Sequence, residues 1–136
     1  KYPNKYYYTD LGLRNARLNY RQYDPGHIME NIIYNELLLR GYSVDVGVVC
    51  DRSKGTKTQK EIDFVVNDAD RRVYIQSAFR MDTEKKESSE LLSLMLAKGF
   101  FKKIIVRMDV PHSFYDDNGI FNCNLIDLLL GRVELF

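Results

Sequence analysis

Between a helix-patterned segment that stops at Gly41 and another that stops at Gly99, the chain carries three successive β-type runs: Tyr42 to Cys50, Lys60 to Asn67 and Arg72 to Phe79. Each is rich in β-branched or aromatic residues and is followed by a turn-rich stretch, which predicts a meander. The helix before it spans Ile28 to Arg40, with apolar rows Ile28, Ile32, Leu39 and Met29, Ile33, Leu37; Asp24 is its cap and Pro25 suits its first position. The helix after it spans Thr83 to Lys98, with Leu91, Leu92, Met95 and Leu96 on one side. Lys102 to Arg107 returns to β character, and a loop through Pro111 and Asp116-Asp117-Asn118-Gly119 precedes a short strand, Ile120 to Cys123, and a helix, Leu125 to Leu130. A short helix capped by Thr9 or Asp10 runs to Leu18, weakened by Gly12. The order α, β, β, β, α, β, β, α excludes an all-β fold and a strictly alternating one. It predicts a mixed α/β sheet in which the meander is antiparallel and a helical crossover adds a parallel strand, with helices on both faces.

At 136 residues the chain holds one domain, read as an N-terminal extension over 1–24 and a core over 25–131. Twenty Lys and Arg stand against nineteen Asp and Glu, so any charged partner must be met by a local patch. Two cysteines, Cys50 and Cys123, are too few for a disulfide scaffold and fit a reducing cytoplasm. No run approaches the ~20 apolar residues of a membrane span, so no membrane partner is expected. The first residue is Lys1, which suggests a piece of a longer chain.

The informative residues are acids where apolar side chains are expected. Glu30 shares a helix face with Ile33, Tyr34 and Leu37, so its carboxylate either edges into water or faces a polar cavity above the sheet. In Glu61-Ile62-Asp63-Phe64-Val65-Val66 simple alternation puts Glu61, Asp63 and Val65 on one side and Ile62, Phe64 and Val66 on the other. A carboxylate in mid-strand needs a metal ion or a paired charge. Tyr74, Gln76, Ala78 and Arg80 share a face of the third run. If the second and third runs are neighbours, Asp63 and Gln76 meet near Glu30, and three oxygen donors converge in the manner that holds Mg²⁺.

Helix, meander, helix and strand, with Glu30 in Met29-Glu30-Asn31-Ile32 and Asp63 in the second run, resemble the PD-(D/E)XK nuclease superfamily and its restriction-endonuclease-like fold. The resemblance implies a metal-binding helix acid and strand acid, followed by a Glu-x-Lys pair. Here Gln76-Ser77-Ala78 stands in the place of that pair, so the third acid is an amide and Ala78 replaces the lysine. More narrowly, Tyr6-Tyr7-Tyr8-Thr9-Asp10-Leu11-Gly12-Leu13, Arg40-Gly41-Tyr42, Glu61-Ile62-Asp63-Phe64-Val65 and Tyr74-Ile75-Gln76-Ser77-Ala78 resemble the C-terminal domain of unknown function of prokaryotic AAA-type ATP-binding proteins. That likeness implies a preceding ATPase module, which would carry the ATP. The stretch Ser53-Lys54-Gly55-Thr56-Lys57-Thr58 lacks the spacing of a phosphate loop.

With Gln76 for a carboxylate, metal affinity should fall while the geometry persists, and Mg²⁺ or Mn²⁺ would be held weakly by Glu30, Asp63 and Gln76. Arg80 is the candidate substitute for the missing lysine, although guanidinium is a poor proton carrier. The expectation is a catalytically degenerate nuclease-like domain serving nucleic-acid or protein binding. Its alternatives are an active Mg-dependent nuclease using the same three residues and a structural interaction or oligomerisation module. Arg52, Lys54, Lys57 and Lys60, with no acid between them, form the expected DNA-binding hairpin; a plain solvated tip is the alternative. His27, His112, Cys50 and Cys123 show no zinc-like spacing.

Overall fold

Short turns and β-branched side chains on both faces make the three central runs pair in sequence order. In the computed structural model, which describes residues 4–21, 24–81 and 83–136, they form β1 (Ser43–Asp51), β2 (Thr58–Asp68) and β3 (Arg71–Ala78), each antiparallel to the next. Residues 1–3, 22 and 23 of the expected N-terminal extension, and residue 82, lie outside the described residues.

Before the meander come α1 (Leu11–Arg17) and α2 (Pro25–Leu39). Asp10 caps the first, accepting from the Leu13 N–H, and Asp24 caps the second, accepting from the N–H groups of Gly26 and His27, with Pro25 at the start as expected. Gly41 ends α2 at φ +81°, a conformation that costs a side-chain-bearing residue energy. After the meander, α3 (Glu84–Leu96) crosses over to β4 (Lys102–Arg107), which lies parallel to β3. The chain then forms the two-residue β5 (Phe114–Tyr115), β6 (Phe121–Asn124), parallel to β4, and α4 (Leu125–Leu129). Among the described residues the sheet has six strands in the order β1-β2-β3-β4-β6-β5. This is the expected mixed α/β architecture, with β5 added; two residues carry too little pattern to be seen in sequence.

Two cores sandwich the sheet. On one face Met29, Ile33 and Leu37 of α2 and Leu125 and Leu128 of α4 pack on Phe64, Val66, Val73, Ile75, Ile104 and Val106. On the other, Leu94 and Ala97 at the end of α3 pack on Ile62, Tyr74, Ala78 and Ile105. Of the two apolar rows of α2, the Met29 row is the buried one, while Leu39 is 83% exposed. The apolar side of α3 is rotated from expectation: Leu94 is fully buried and Met95 points outward at 56% exposure. A nearly continuous run from Leu91 to Leu96 leaves the helix phase open, and packing on Ile62 and Tyr74 sets it.

The alternation expected in β2 is also broken. Asp45 pairs with Val65, but Gly47 pairs with Ile62, so Asp63 and Phe64 together stand opposite Val46 in a β-bulge. Ile62 therefore joins Val65 on the α3 side instead of pointing with Phe64 and Val66 toward α2. Gly47 permits this approach, because a Cβ there would lie 2.8 Å from Val65 Cγ2 and 3.1 Å from Ile62 Cβ.

Candidate functional site

Past the bulge, β2 and β3 part. Their last paired residues are Phe64 and Ile75, and the main-chain groups beyond need other partners, since an unpaired buried N–H is costly. Gln76, 6% exposed, fills the fork. Its Oε1 accepts the Asp63 N–H at 2.8 Å, and its Nε2 donates to the Glu61 carbonyl at 3.4 Å. Asp63 returns the exchange, its Oδ2 accepting the Ser77 N–H at 2.8 Å. Side chains thus continue the ladder that the backbones abandon. A cleft of about 430 Å³ opens at this fork between the first turn of α2 and the first turns of α3, and Glu30, Asp63 and Gln76 all line it.

A cation of the chain itself sits among the acids. Lys5 Nζ lies 2.9 Å from Glu30 Oε1, 3.2 Å from Asp63 Oδ1 and 3.7 Å from Glu61 Oε2. Tyr7 donates its hydroxyl to the same Glu30 oxygen at 2.7 Å, and its ring stacks on Tyr34 with centroids 4.2 Å apart. Tyr8 is clamped to α2: its N–H donates to Asn31 Oδ1, and its carbonyl accepts from Asn31 Nδ2 and Asn35 Nδ2. Residues 5–8 of the N-terminal extension are therefore laid along α2, with Lys5 in the site. Burial alone would lower the Lys5 pKa, but the carboxylates of Asp63 and Glu30 hold the ammonium well above its ordinary range. Burial and then Glu30 push the Tyr7 phenol far upward. Asp63 is raised by burial and by Glu30, against the opposing pull of the Ser77 N–H and Lys5.

A further acid comes from α3, where burial and Asp63 raise Glu90 while its hydrogen bond to Gln76 opposes the shift. Lys60 and Lys86 also line the cleft. Of the expected basic hairpin, Lys60 reaches the cleft, Lys54 and Lys57 lie on the exposed tip, and Arg52 faces a separate groove on the α3 side. Arg80 follows the end of β3, exposed, with its guanidinium 5.5 Å from the Phe79 ring centroid, and it is not among the residues lining the cleft. Ala78 does line it and brings no charge.

The convergence expected of Glu30, Asp63 and Gln76 is present, but their oxygens do not form an open set of donors. Lys5 bonds both carboxylates, and the amide oxygen of Gln76 accepts a backbone N–H. Among the described residues no group of three His, Cys, Asp or Glu side chains is arranged to hold a metal ion. A divalent cation does not fit this donor set while Lys5 is seated, because it would meet an ammonium at bonding distance from both acids. The arrangement neutralises acids and fixes a fork. Lys5, Tyr7 and Glu90 are the site residues that sequence reasoning missed.

No solved structure matches the chain significantly. An uncharacterized protein of Haemophilus influenzae (strain Rd) is 37% identical over 102 residues, covering 75% of this chain and 23% of the relative. The chain thus spans about a quarter of the length of the curated relative it matches. Glu30, Asp63, Gln76 and Glu90 fall within residues 25–125, and Lys5 and Tyr7 precede them. Over those residues, 25–125, a family model matches, and the chain belongs to that family, Domain of unknown function (DUF4143).

Proposed function

We propose that this domain has a restriction-endonuclease-like fold of the PD-(D/E)XK type, no longer cuts, and serves as a nucleic-acid-binding module of a longer AAA-type ATP-binding protein. The observation that carries the reading is Lys5 Nζ at 2.9 Å from Glu30 and 3.2 Å from Asp63, a fixed cation where a metal-dependent enzyme needs an exchangeable one. The use of Gln76 as a backbone surrogate supports it, as does Ala78 in the place of the expected lysine. The order α2, β1, β2, β3, α3, β4, with α2 and α3 on opposite faces, supports the fold assignment. The parent ATPase rests on the resemblance of the chain and on a matched relative roughly four times the length of the shared region.

Binding without cutting rests on Lys54 and Lys57 at an exposed hairpin tip and on Lys60 and Lys86 at the cleft. Four exposed or cleft-lining ammonium groups suit phosphate contacts that need no sequence code. The test is retention of duplex and single-stranded DNA by the purified chain over a salt series, with a parallel incubation in Mg²⁺ or Mn²⁺. The expected result is salt-sensitive retention, lowered by Lys54→Gln/Lys57→Gln, with intact DNA in either metal. Cleavage abolished by Asp63→Ala would refute the loss of activity, and absence of retention at low salt would refute the binding role.

A further inference from the structure

The two edges of the sheet differ in length. β5 has two residues, too few to template another strand, whereas β1 runs for nine, Ser43–Asp51, and among the described residues it is bonded to β2 on one side alone. Free N–H and C=O groups along such an edge invite a further strand, and natural proteins guard them with charges, prolines, bulges or covering elements. Between Asp45 and Asp51, β1 carries five consecutive uncharged residues, Val46-Gly47-Val48-Val49-Cys50, with no proline. The bulge in this region adds its extra residue to β2 and leaves β1 unbroken.

The side chains of β1 decide which strand fits. Val49 packs with Ile62 and Leu94 on the α3 face and Val44 packs with the core on the α2 face, so alternation puts Asp45, Gly47 and Asp51 with Val49, and Val46, Val48 and Cys50 with Val44. Val46 and Val48 are 45% and 48% exposed on that α2 face. A two-fold axis normal to the sheet sets β1 antiparallel to a second β1 with the faces preserved, so each residue meets one on its own face. Complete overlap of Ser43–Asp51 with itself puts Gly47 at the axis and sets each Val46 opposite Val48 of the other copy. In that register Asp45 stands opposite Val49 and Asp51 opposite Ser43, so no acid faces an acid. Centring on Val48 instead sets Asp45 against Asp51 twice, and centring on Val46 leaves Cys50 and Asp51 outside the pairing. The register of fullest overlap is therefore also the one that mates the exposed valines and separates the acids.

We propose that β1 is the dimerisation edge of this domain: a second copy of the chain pairs antiparallel along Ser43–Asp51 about a two-fold axis at Gly47, joining the two sheets into one, with Val46 and Val48 of each copy packed across the seam on the α2 face. Main-chain bonds along about 30 Å of strand supply the affinity. The valine pairs, and the cost of setting Asp45 against Asp51, select the register. The inference is independent of nucleic-acid binding, since no residue of β1 lines the acidic cleft.

The experiment is sedimentation velocity on the chain from about 1 µM to about 1 mM, the range of weak specific association, with cysteine cross-linking as the test of register. The parent should show a concentration-dependent equilibrium of monomer and dimer. Val46→Lys and Val48→Lys, both at exposed positions, should each raise the dissociation constant roughly tenfold or more while keeping the circular dichroism of the parent. For the register, Val46→Cys and Val48→Cys are made separately in a Cys50→Ser background. Mixed, the two should oxidise to a cross-chain disulfide, because directly opposite Cα atoms lie about 4.5–5.5 Å apart; either alone sets its thiols two residues out of step, beyond disulfide reach. A monomer throughout the range, a dimer that both lysine variants leave intact, or a single variant that cross-links as readily as the mixture overturns the proposal.

Discussion

Replacing Lys5 by Met keeps the stem of the side chain and deletes its charge, so it isolates the ammonium held between Glu30 and Asp63. Two charge-assisted hydrogen bonds are lost, each worth about 1.5–3 kcal/mol where the groups are dry. Here the three side chains retain 27%, 17% and 15% exposure, Tyr7 still bonds Glu30, and the Ser77 N–H still bonds Asp63. Removal also lifts the cost of burying the ammonium, which leaves a net loss of about 2 kcal/mol at pH 7. With a urea m-value of about 1.5 kcal/mol/M, the unfolding midpoint falls by roughly 1.3 M. Lys5 is raised above its ordinary value, so its contribution is fully present below that value and is lost only as strong alkali titrates it. On the acid side the contribution disappears when its partners protonate, and Asp63, raised by burial and Glu30, takes up its proton earlier than an ordinary carboxyl group. Urea titrations of the parent and Lys5→Met at pH 7 and pH 4 should therefore show a deficit that shrinks with acidification. An equal deficit at both values would mean that the stem and not the charge matters, and no deficit at pH 7 would refute the counter-ion role.

Gln76→Ala removes both bonds that close the fork and leaves the Asp63 N–H without its acceptor, so it should cost about 2–3 kcal/mol by thermal unfolding; Gln76→Glu should be destabilised most near neutral pH, since it sets a third carboxylate beside Asp63 and Glu90. Gly47→Ala brings a Cβ to 2.8 Å from Val65 and should lower stability by about 1–3 kcal/mol in chemical denaturation. Asp109 accepts both the Nε and an Nη of Arg107 and the Met81 N–H; the Arg107 bonds, partly countered by burial, hold it at about 2. Its contribution is present above the ordinary 3.8 and is lost as pH falls toward 2, so Asp109→Asn should differ from the parent at pH 6 and converge with it near pH 2. Alkylation near pH 8 should modify exposed Cys50, whereas Cys123, fully buried with its thiol pushed up to about 11 by burial, should react only on unfolding.

Much of the fold was legible because local chemistry and tertiary context agree. Asp24-Pro25 opens α2, Thr83 caps α3, and Gly41 closes α2, as their residue types require. What misled was phase. Alternation assigned Ile62 to the wrong face because a bulge adds one residue to β2, and the sole trace of it in the sequence is Gly47 on the neighbouring strand, meaningful only once the pairing register is known. The rotation of α3 escaped for a related reason: an apolar run wider than a stripe fits several rotations about the helix axis, and the sheet chooses one.

The site divides along the same line. Glu30 and Asp63 stand out by violating a pattern, and the acids do meet, but what they meet is Lys5, which violates nothing in a Tyr- and Lys-rich opening segment. Lys5 is 25 residues from Glu30 and 58 from Asp63, and its reach is set by the clamp of Tyr8 onto Asn31 and Asn35 together with Tyr7 on Glu30 and Tyr34. The clamp has a physical consequence that connects site to segment. Residues 5–8 cannot leave α2 without exposing Glu30, Glu61 and Asp63 together, two carboxylates beside a buried Asp63 whose proton affinity is already raised. Any movement of that segment would therefore be opposed by uncompensated charge, and the opposition would fade as Asp63 protonates. Amide exchange at Tyr8 measures this directly: it should be slow at pH 7 after correction for intrinsic rates, and selectively faster in Lys5→Met. Equal protection in the two proteins would show that the contacts of Tyr7 and Tyr8 hold the segment without the Lys5 charge, and would separate the clamp from the charge.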